Sequence, residues 1–313
     1  MYFRLVKANY RGREYSYLRL SESYRDGDKS RQRMIMNLAN LDHLPESKMI
    51  YVMETLQELI KLGKEMNKCG LTWWKHYKTS MIMALERVFY PSQSPANTIK
   101  RVFLSENKKK ERRGGTAEDY SENMLKIITH NKKPGGIIIL IKQLAGVFNS
   151  NLTGVFVFDD CGFPLRYDLF DSDVVCVQNI KKHYSKDFFL LFICEKSYNS
   201  QEIRKAGDEA QIIYVQRQAN AVLNTATTIE KYYLVSARKA DTEIVGRGIG
   251  VISESGEHMD YVAKRMTSAI KGVSLPGVDI MNIYFTSLLY MKIIVNAFAE
   301  KRIDFPMIAE EKK

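Results

Sequence analysis

The chain has 313 residues, 45% of them hydrophobic, and a formal net charge of +11. That apolar share excludes an intrinsically disordered chain, and the length allows one large folded unit or two smaller ones. The most apolar stretch, 284–298, is interrupted by Lys292 and preceded by Asp279, so it reads as a core helix, and no cationic-then-apolar leader opens the chain. In chain order, residues 2–37 alternate apolar and polar side chains in the runs YFRLVKA, EYSYLRLSES and SRQRMIMNLA, separated by the turn signals NYRGR and YRDGDK. This pattern predicts a three-stranded antiparallel meander. From Leu44 the period changes: Ile50, Met53, Leu56, Leu59, Ile60 and Met66 recur at three- and four-residue steps, which predicts an amphipathic helix over 46–67. A second helix, 72–90, ends before Pro91. Residues 91–116 combine proline, serine, a KKKERR run and a glycine pair, and read as an exposed linker.

Beyond the linker, a helix is expected over 118–130, then a fully apolar strand (135–142) and a strand pair over 152–170 joined by an Asp-Cys-Gly turn. Helices near 173–184 and 200–208 alternate with strands at 187–195 and 210–216. A strand follows at 230–236, another at 243–252, and helices 257–271 and 279–300 close the chain. The fold class is α/β: a mixed sheet with helices on its faces, preceded by a small meander and a helical region. The expected division is 1–45, 46–90, the basic linker 91–116, and 117–313.

The cations are clustered. Residues 1–33 hold nine Lys/Arg against four Asp/Glu, and 100–113 hold seven against two. Clustered cations are the footprint of a polyanion binder, because each neutralised phosphate releases counterions. The candidate contacts are Arg4, Arg11, Arg13, Arg25, Lys29, Arg31 and Arg33, with Lys108, Lys109, Lys110, Arg112 and Arg113 in the linker. A solvated loop is the plain alternative for the second group. Cys69, Cys161, Cys176 and Cys194 form no CxxC pair, so reduced thiols are expected rather than a zinc site.

Two segments carry a resemblance. The opening YFRLVKANYRGREYSYLRLSESYRDGDKSRQRMIMNLANLDHL resembles the N-terminal region of insertion-sequence transposases of the long-chain DDE branch. GVFVFDDCGFPLRYDLFDSD looks like the second and third strands of their RNase H-like core. The resemblance implies an N-terminal region that contacts double-stranded DNA, a cytoplasmic protein without a membrane role, and a possible homo-oligomer. In an active member, three carboxylates hold two divalent metals for in-line phosphoryl transfer, which would make Mg2+ or Mn2+ the cofactor. Here the sequence departs from the pattern. Lys142 stands at the expected first aspartate position. Glu195 stands at the end of the fourth strand, a vestige of the second, and the late helix offers Thr267, Ser268 and Ala269 where a glutamate belongs. The expectation is a transposase-related DNA-binding protein that has lost catalysis and needs no cofactor. An active DDE enzyme and an RNA-binding or structural protein are the alternatives.

Other signals stay open between chemistry and structure. Asp159-Asp160 precede Gly162 and read as turn residues before metal ligands. Asp168, Asp171 and Asp173 read as an acidic rim. Trp73, Trp74 and Tyr77 beside Lys75, His76 and Lys78 could stack on bases or simply pack. GRGIG (246–250) lacks the spacing of a dinucleotide fingerprint.

Overall fold

Two short turns decide how the chain begins. In the computed structural model, which describes residues 1–68, 74–89, 137–143, 153–159, 161–170, 190–194, 212–217, 228–229, 232–234, 242–269 and 277–303, the first three strands form the expected meander. They are β1 (Tyr2–Tyr10), β2 (Arg13–Asp26) and β3 (Lys29–Asn40), ordered β1-β2-β3 and antiparallel throughout. Arg11 (φ 51) and Gly12 (φ 79) both take left-handed backbone, and Gly27 (φ 61) does so at the start of the second turn. Positive φ at these positions matches the twist of two-residue hairpins.

The third strand departs from simple alternation. Its register against β2 shifts between Leu18 and Arg19 and again between Leu20 and Ser21. Each shift is a bulge that puts two consecutive β3 residues on one face: Ile35 with Met36, and Leu38 with Ala39, are all buried, while Met34 and Asn37 point outward.

The molecule divides into two compact units: Met1–Gly114 with Lys264–Lys271 and Thr286–Lys313, and Gly115–Ala263 with Gly272–Phe285. In the first, α1 (Glu46–Lys68) and α2 (Trp74–Phe89) follow the sheet. Pro45 stands immediately before α1, where no helical hydrogen bond needs its missing N–H, and its carbonyl accepts from Lys48 and Met49. Val52, Leu56, Leu59, Ile60 and Met66 form the buried stripe of α1, and Gln57 Nε2 donates to the Phe3 carbonyl at 3.1 Å, tying the helix to β1. From His76 to Glu86, α2 is buried on every side. Two of its buried residues are charged. Lys78 pairs with Glu22, and Glu86 accepts two hydrogen bonds of 3.1 Å from the guanidinium of Arg265. Both charges are therefore compensated.

The second unit carries β4 (Ile137–Gln143), β5 (Thr153–Asp159), β6 (Pro164–Phe170), β7 (Leu190–Cys194), β8 (Ile212–Arg217), β9 (Thr228–Ile229) and β10 (Tyr232–Leu234). The sheet order is β6-β5-β4-β7-β8-β10-β9. β5 runs antiparallel to both of its neighbours, β4 and β6, whereas β4, β7 and β8 run parallel. Residues 154–158 of β5 are all buried, as expected for a strand covered on both faces. The Asp159 turn is built by its own side chain: Oδ1 accepts from the amides of Cys161 (2.9 Å) and Phe163 (2.8 Å), and Gly162 takes φ 82. Asp159 is a turn residue, as the sequence suggests. Tyr167 on β6 donates to Oδ1 of Asn282 at 2.6 Å, with both residues buried. Tyr167→Phe leaves that acceptor unsatisfied, and chemical denaturation should show a loss of about 1–3 kcal/mol.

Two helices end the described chain: α3 (Thr242–Ala269) and α4 (Gly277–Glu300). Here one expectation is overturned. Residues 243–252, read above as a strand, are the first turns of α3. Its buried positions Gly248, Ser255, Met259, Val262 and Met266 repeat at helical spacing, and the 246–250 segment is helix rather than a phosphate-cradling loop. By length and composition Asp279–Glu300 could cross a membrane (mean hydropathy 1.3), yet 72% of that window is buried within the fold. The linker 91–116 and the helices expected over 118–130, 173–184 and 200–208 lie outside the described residues.

Candidate nucleic-acid interface

The register of the N-terminal sheet sorts its charges by face. Alternation along β2, carried across by the pairing, puts Glu14, Glu22 and Asp26 on the face that also bears the buried Phe3, Leu18, Leu20, Met36 and Ala39. These are all the carboxylates the three strands possess. The ion pairs lie on the same face: Lys7–Glu14 (2.6 Å), Arg31–Asp26 (2.9 Å) and Arg33–Glu22 (2.5 Å). The opposite face bears Tyr2, Arg4, Val6, Ala8 and Tyr10 of β1. It continues with Arg13, Tyr15, Tyr17, Arg19, Ser21, Ser23 and Arg25 of β2, and with Ser30, Gln32, Met34, Asn37 and Asn40 of β3. None of these side chains is acidic. Arg4, Arg13 and Arg25 are exposed, and Tyr10 is 60% exposed with the Arg11 guanidinium 5.2 Å from its ring centroid.

The candidate cations therefore fall into two groups. Arg4, Arg13 and Arg25 share the acid-free face, and Arg11 sits in the turn at its edge. Lys29, Arg31 and Arg33 lie on the acidic face. The Arg31–Asp26 pair is exposed and energetically minor. Arg33 is more committed: its guanidinium holds Glu22 and lies 5.3 Å from the Tyr24 ring centroid. The other oxygen of Glu22 accepts from Lys78 Nζ at 2.8 Å. Burial pushes the Glu22 carboxyl up, but the hydrogen bonds and charges of Lys78 and Arg33 outweigh it and hold the group below the usual carboxylate range.

Arg19 was missed. It lies directly across from Arg4, and counting by twos from Arg13 through Tyr15 and Tyr17 would have found it. The possible base-stacking role of 76–78 finds no support, because His76, Tyr77 and Lys78 are buried. Lys108, Lys109, Lys110, Arg112 and Arg113 lie outside the described residues.

The second unit brings the strands bearing Lys142 and preceding Glu195 together. β4 and β7 are parallel neighbours, with Ile141 opposite Cys194 one residue before each. The Lys142 side chain and the whole of Glu195 lie outside the described residues, as do Asp160, Asp171 and Asp173. Asp168 is held by Arg166 through two hydrogen bonds of 2.7 Å. Among the described residues no group of three His, Cys, Asp or Glu could hold a metal ion.

The same meander and first helix carry a family match. Residues 3–68 match the IS1634 family transposase, N-terminal domain. This supports an insertion-sequence transposase relationship and, through it, a transposase-related function; a transposase family in turn suggests interaction with DNA. The matched stretch holds nearly all of the sheet and all of α1, so nearly all of the acid-free face lies within it. No curated protein and no solved structure matches the chain.

Proposed function

We propose that this chain is a transposase-related protein that binds duplex DNA through the acid-free face of its N-terminal sheet. The observation that carries this reading is the segregation of charge: arginines line one face while every strand carboxylate occupies the other. An open sheet face with guanidinium groups and no carboxylates suits a phosphate backbone, because no fixed anion opposes the approach. We also read the second unit as an RNase H-like domain of DDE type whose catalysis has decayed. The support is its strand order, β6-β5-β4-β7-β8, with three antiparallel strands leading into parallel ones. Lys142 on β4 adds to it, because a cation there opposes the carboxylate cluster that holds divalent metals. On this reading no cofactor is needed, and Mg2+ or Mn2+ would serve only an active site. The protein works in the cytoplasm, as a monomer or homo-oligomer, without a membrane.

The test is duplex affinity as a function of salt. Replacing Arg13 and Arg25 by glutamine should lower the slope of log K against log salt by about 2, since each phosphate contact contributes about 0.9. Replacing Lys29 and Arg31 should change it little. An unchanged slope in the Arg13/Arg25 variant would remove the acid-free face as the DNA contact. Tyr10, Tyr15 and Tyr17 on this face could also stack single-stranded bases, so stronger competition by RNA than by duplex would favour the RNA-binding alternative.

A further inference from the structure

One corner of the acid-free face holds more than scattered charge. Tyr2 lies directly opposite Ser21, and two residues along, Arg4 lies directly opposite Arg19, so four side chains form a two-by-two grid. Directly opposed side chains in an antiparallel pair are about 5 Å apart, and like charges so placed destabilise the sheet. No strand carboxylate lies on this face to relieve Arg4 and Arg19. Within the grid, Tyr2 Oη, Arg19 Nε and Ser21 Oγ are buried and make no hydrogen bond. Buried polar atoms are ordinarily paired, so three unpaired donors beside an uncompensated arginine pair call for a common acceptor.

We infer that Tyr2, Arg4, Arg19 and Ser21 form a seat for one phosphodiester group of the DNA backbone. This deepens the proposed function and rests on it. A phosphate supplies what the corner lacks: oxygens that accept from a guanidinium N–H and two hydroxyls, and a negative charge between two arginines. Arg4 is exposed and Arg19 half-buried, which leaves the seat a solvent-facing side while fixing its floor. The seat also gives the unfavourable cross-strand pair a use, since bound DNA turns repulsion into a clamp. It assigns a role to Arg19, which is not among the contacts expected from sequence.

The full chain carries the test, with Arg4→Gln, Arg19→Gln, Ser21→Ala and the charge-preserving Arg4→Lys compared against the natural sequence. Two readouts are taken: affinity for a labelled mixed-sequence duplex across a salt series, and thermal midpoint with and without inorganic phosphate. Each glutamine variant should lower the salt slope, and the two together by about 1, because both arginines serve one phosphate. Ser21→Ala should weaken binding several-fold at unchanged slope, because a hydroxyl releases no counterion, and Arg4→Lys should keep the slope. The free glutamine variants should melt no lower than the natural protein, and phosphate should raise their midpoints less. Unchanged slopes with equal phosphate protection would mean that water satisfies the three atoms, and the seat would be refuted while the DNA reading stands. A glutamine variant that melts well below the natural protein would give its arginine a packing role and refute the seat equally. Failure of the natural protein to bind duplex at any salt would overturn the proposed function itself, a result distinct from either.

Discussion

Replacing Lys78 by methionine should cost the protein about 3–5 kcal/mol, read as a lower urea midpoint at unchanged slope. The side chains of Lys78 and Glu22 are only 5% and 6% exposed, and they meet at 2.8 Å. Removing the ammonium leaves a buried carboxylate with Arg33 alone, and the side chain of Arg33 is 36% exposed. Removing both buried charges should do less harm than removing one. The double variant Glu22→Leu with Lys78→Met exchanges an ion pair for apolar packing, and Arg33 can turn outward to water. It should recover most of the loss, because desolvating a pair offsets much of its attraction. A double variant as unstable as the sum of the singles would show that the cluster contributes more than charge compensation.

The same cluster makes the protein acid-sensitive in a definite window. Glu22 titrates below the ordinary carboxylate range in the folded state, so its unfolded form binds the proton more tightly. Its contribution is therefore fully present above the ordinary carboxylate pKa of about 4.3 and is lost as pH falls through the lower folded value. Glu22→Gln should be less stable at neutral pH and show a flatter decline in acid. Stability measured by urea titration from neutral to acidic pH separates the two curves. An identical acid slope in the variant would place the acid sensitivity on other carboxylates.

Much of this architecture can be read from local pattern, and the exceptions have physical causes. The meander is legible because turn residues and alternation agree, and α1, α2 and α4 because their apolar residues recur at helical spacing. β3 is only half legible. MIMNLAN buries residues in pairs rather than alternately, and nothing within the strand announces the bulges that allow it. The first turns of α3 are hidden because Gly246, Gly248 and Gly250 sit among the branched residues Ile244, Val245, Ile249, Val251 and Ile252, a combination that mimics a strand until the stripe down to Met266 is counted as one. At the candidate site the cations are visible in sequence, but the face each occupies is set by register. Arg33 and Arg25 look equivalent along the chain and end on opposite faces. The Glu22–Lys78 pair, 56 residues apart, and the Arg265–Glu86 pair, 179 apart, join different elements and leave no local trace.

The second large effect is expected at a glycine. Gly63 lies inside α1, more than a turn before its end, where alanine is intrinsically better by about 0.8–1 kcal/mol, so helix propensity alone predicts that Gly63→Ala stabilises. Packing predicts the reverse. A Cβ there would stand 1.7 and 2.2 Å from two ring carbons of Tyr77 and 2.6 Å from the Tyr290 hydroxyl. Neither ring has an easy retreat. Tyr77 is fully buried, donates to the Ile60 carbonyl at 3.4 Å and meets Tyr290 edge-on with centroids 6.0 Å apart. Burial also pushes the Tyr77 phenol up, so it stays a neutral donor at any ordinary pH. Overpacking a well-filled core costs typically 1–3 kcal/mol, and backbone as well as ring must move here, so a net loss of about 2–3 kcal/mol is expected. The decisive comparison repeats Gly63→Ala in a Tyr77→Leu background. With the ring gone, the added methyl enters freed space and the helix keeps its propensity gain, so the substitution should become neutral or stabilising. Because α1 holds β1 through Gln57 and Phe3, Gly63→Ala alone should also speed hydrogen exchange at the amides of β1. A Gly63→Ala protein that melts higher than the natural one would mean that α1, α2 and α4 can separate by a methyl's width without penalty, and the close packing of these three helices would then contribute little to holding the sheet in place.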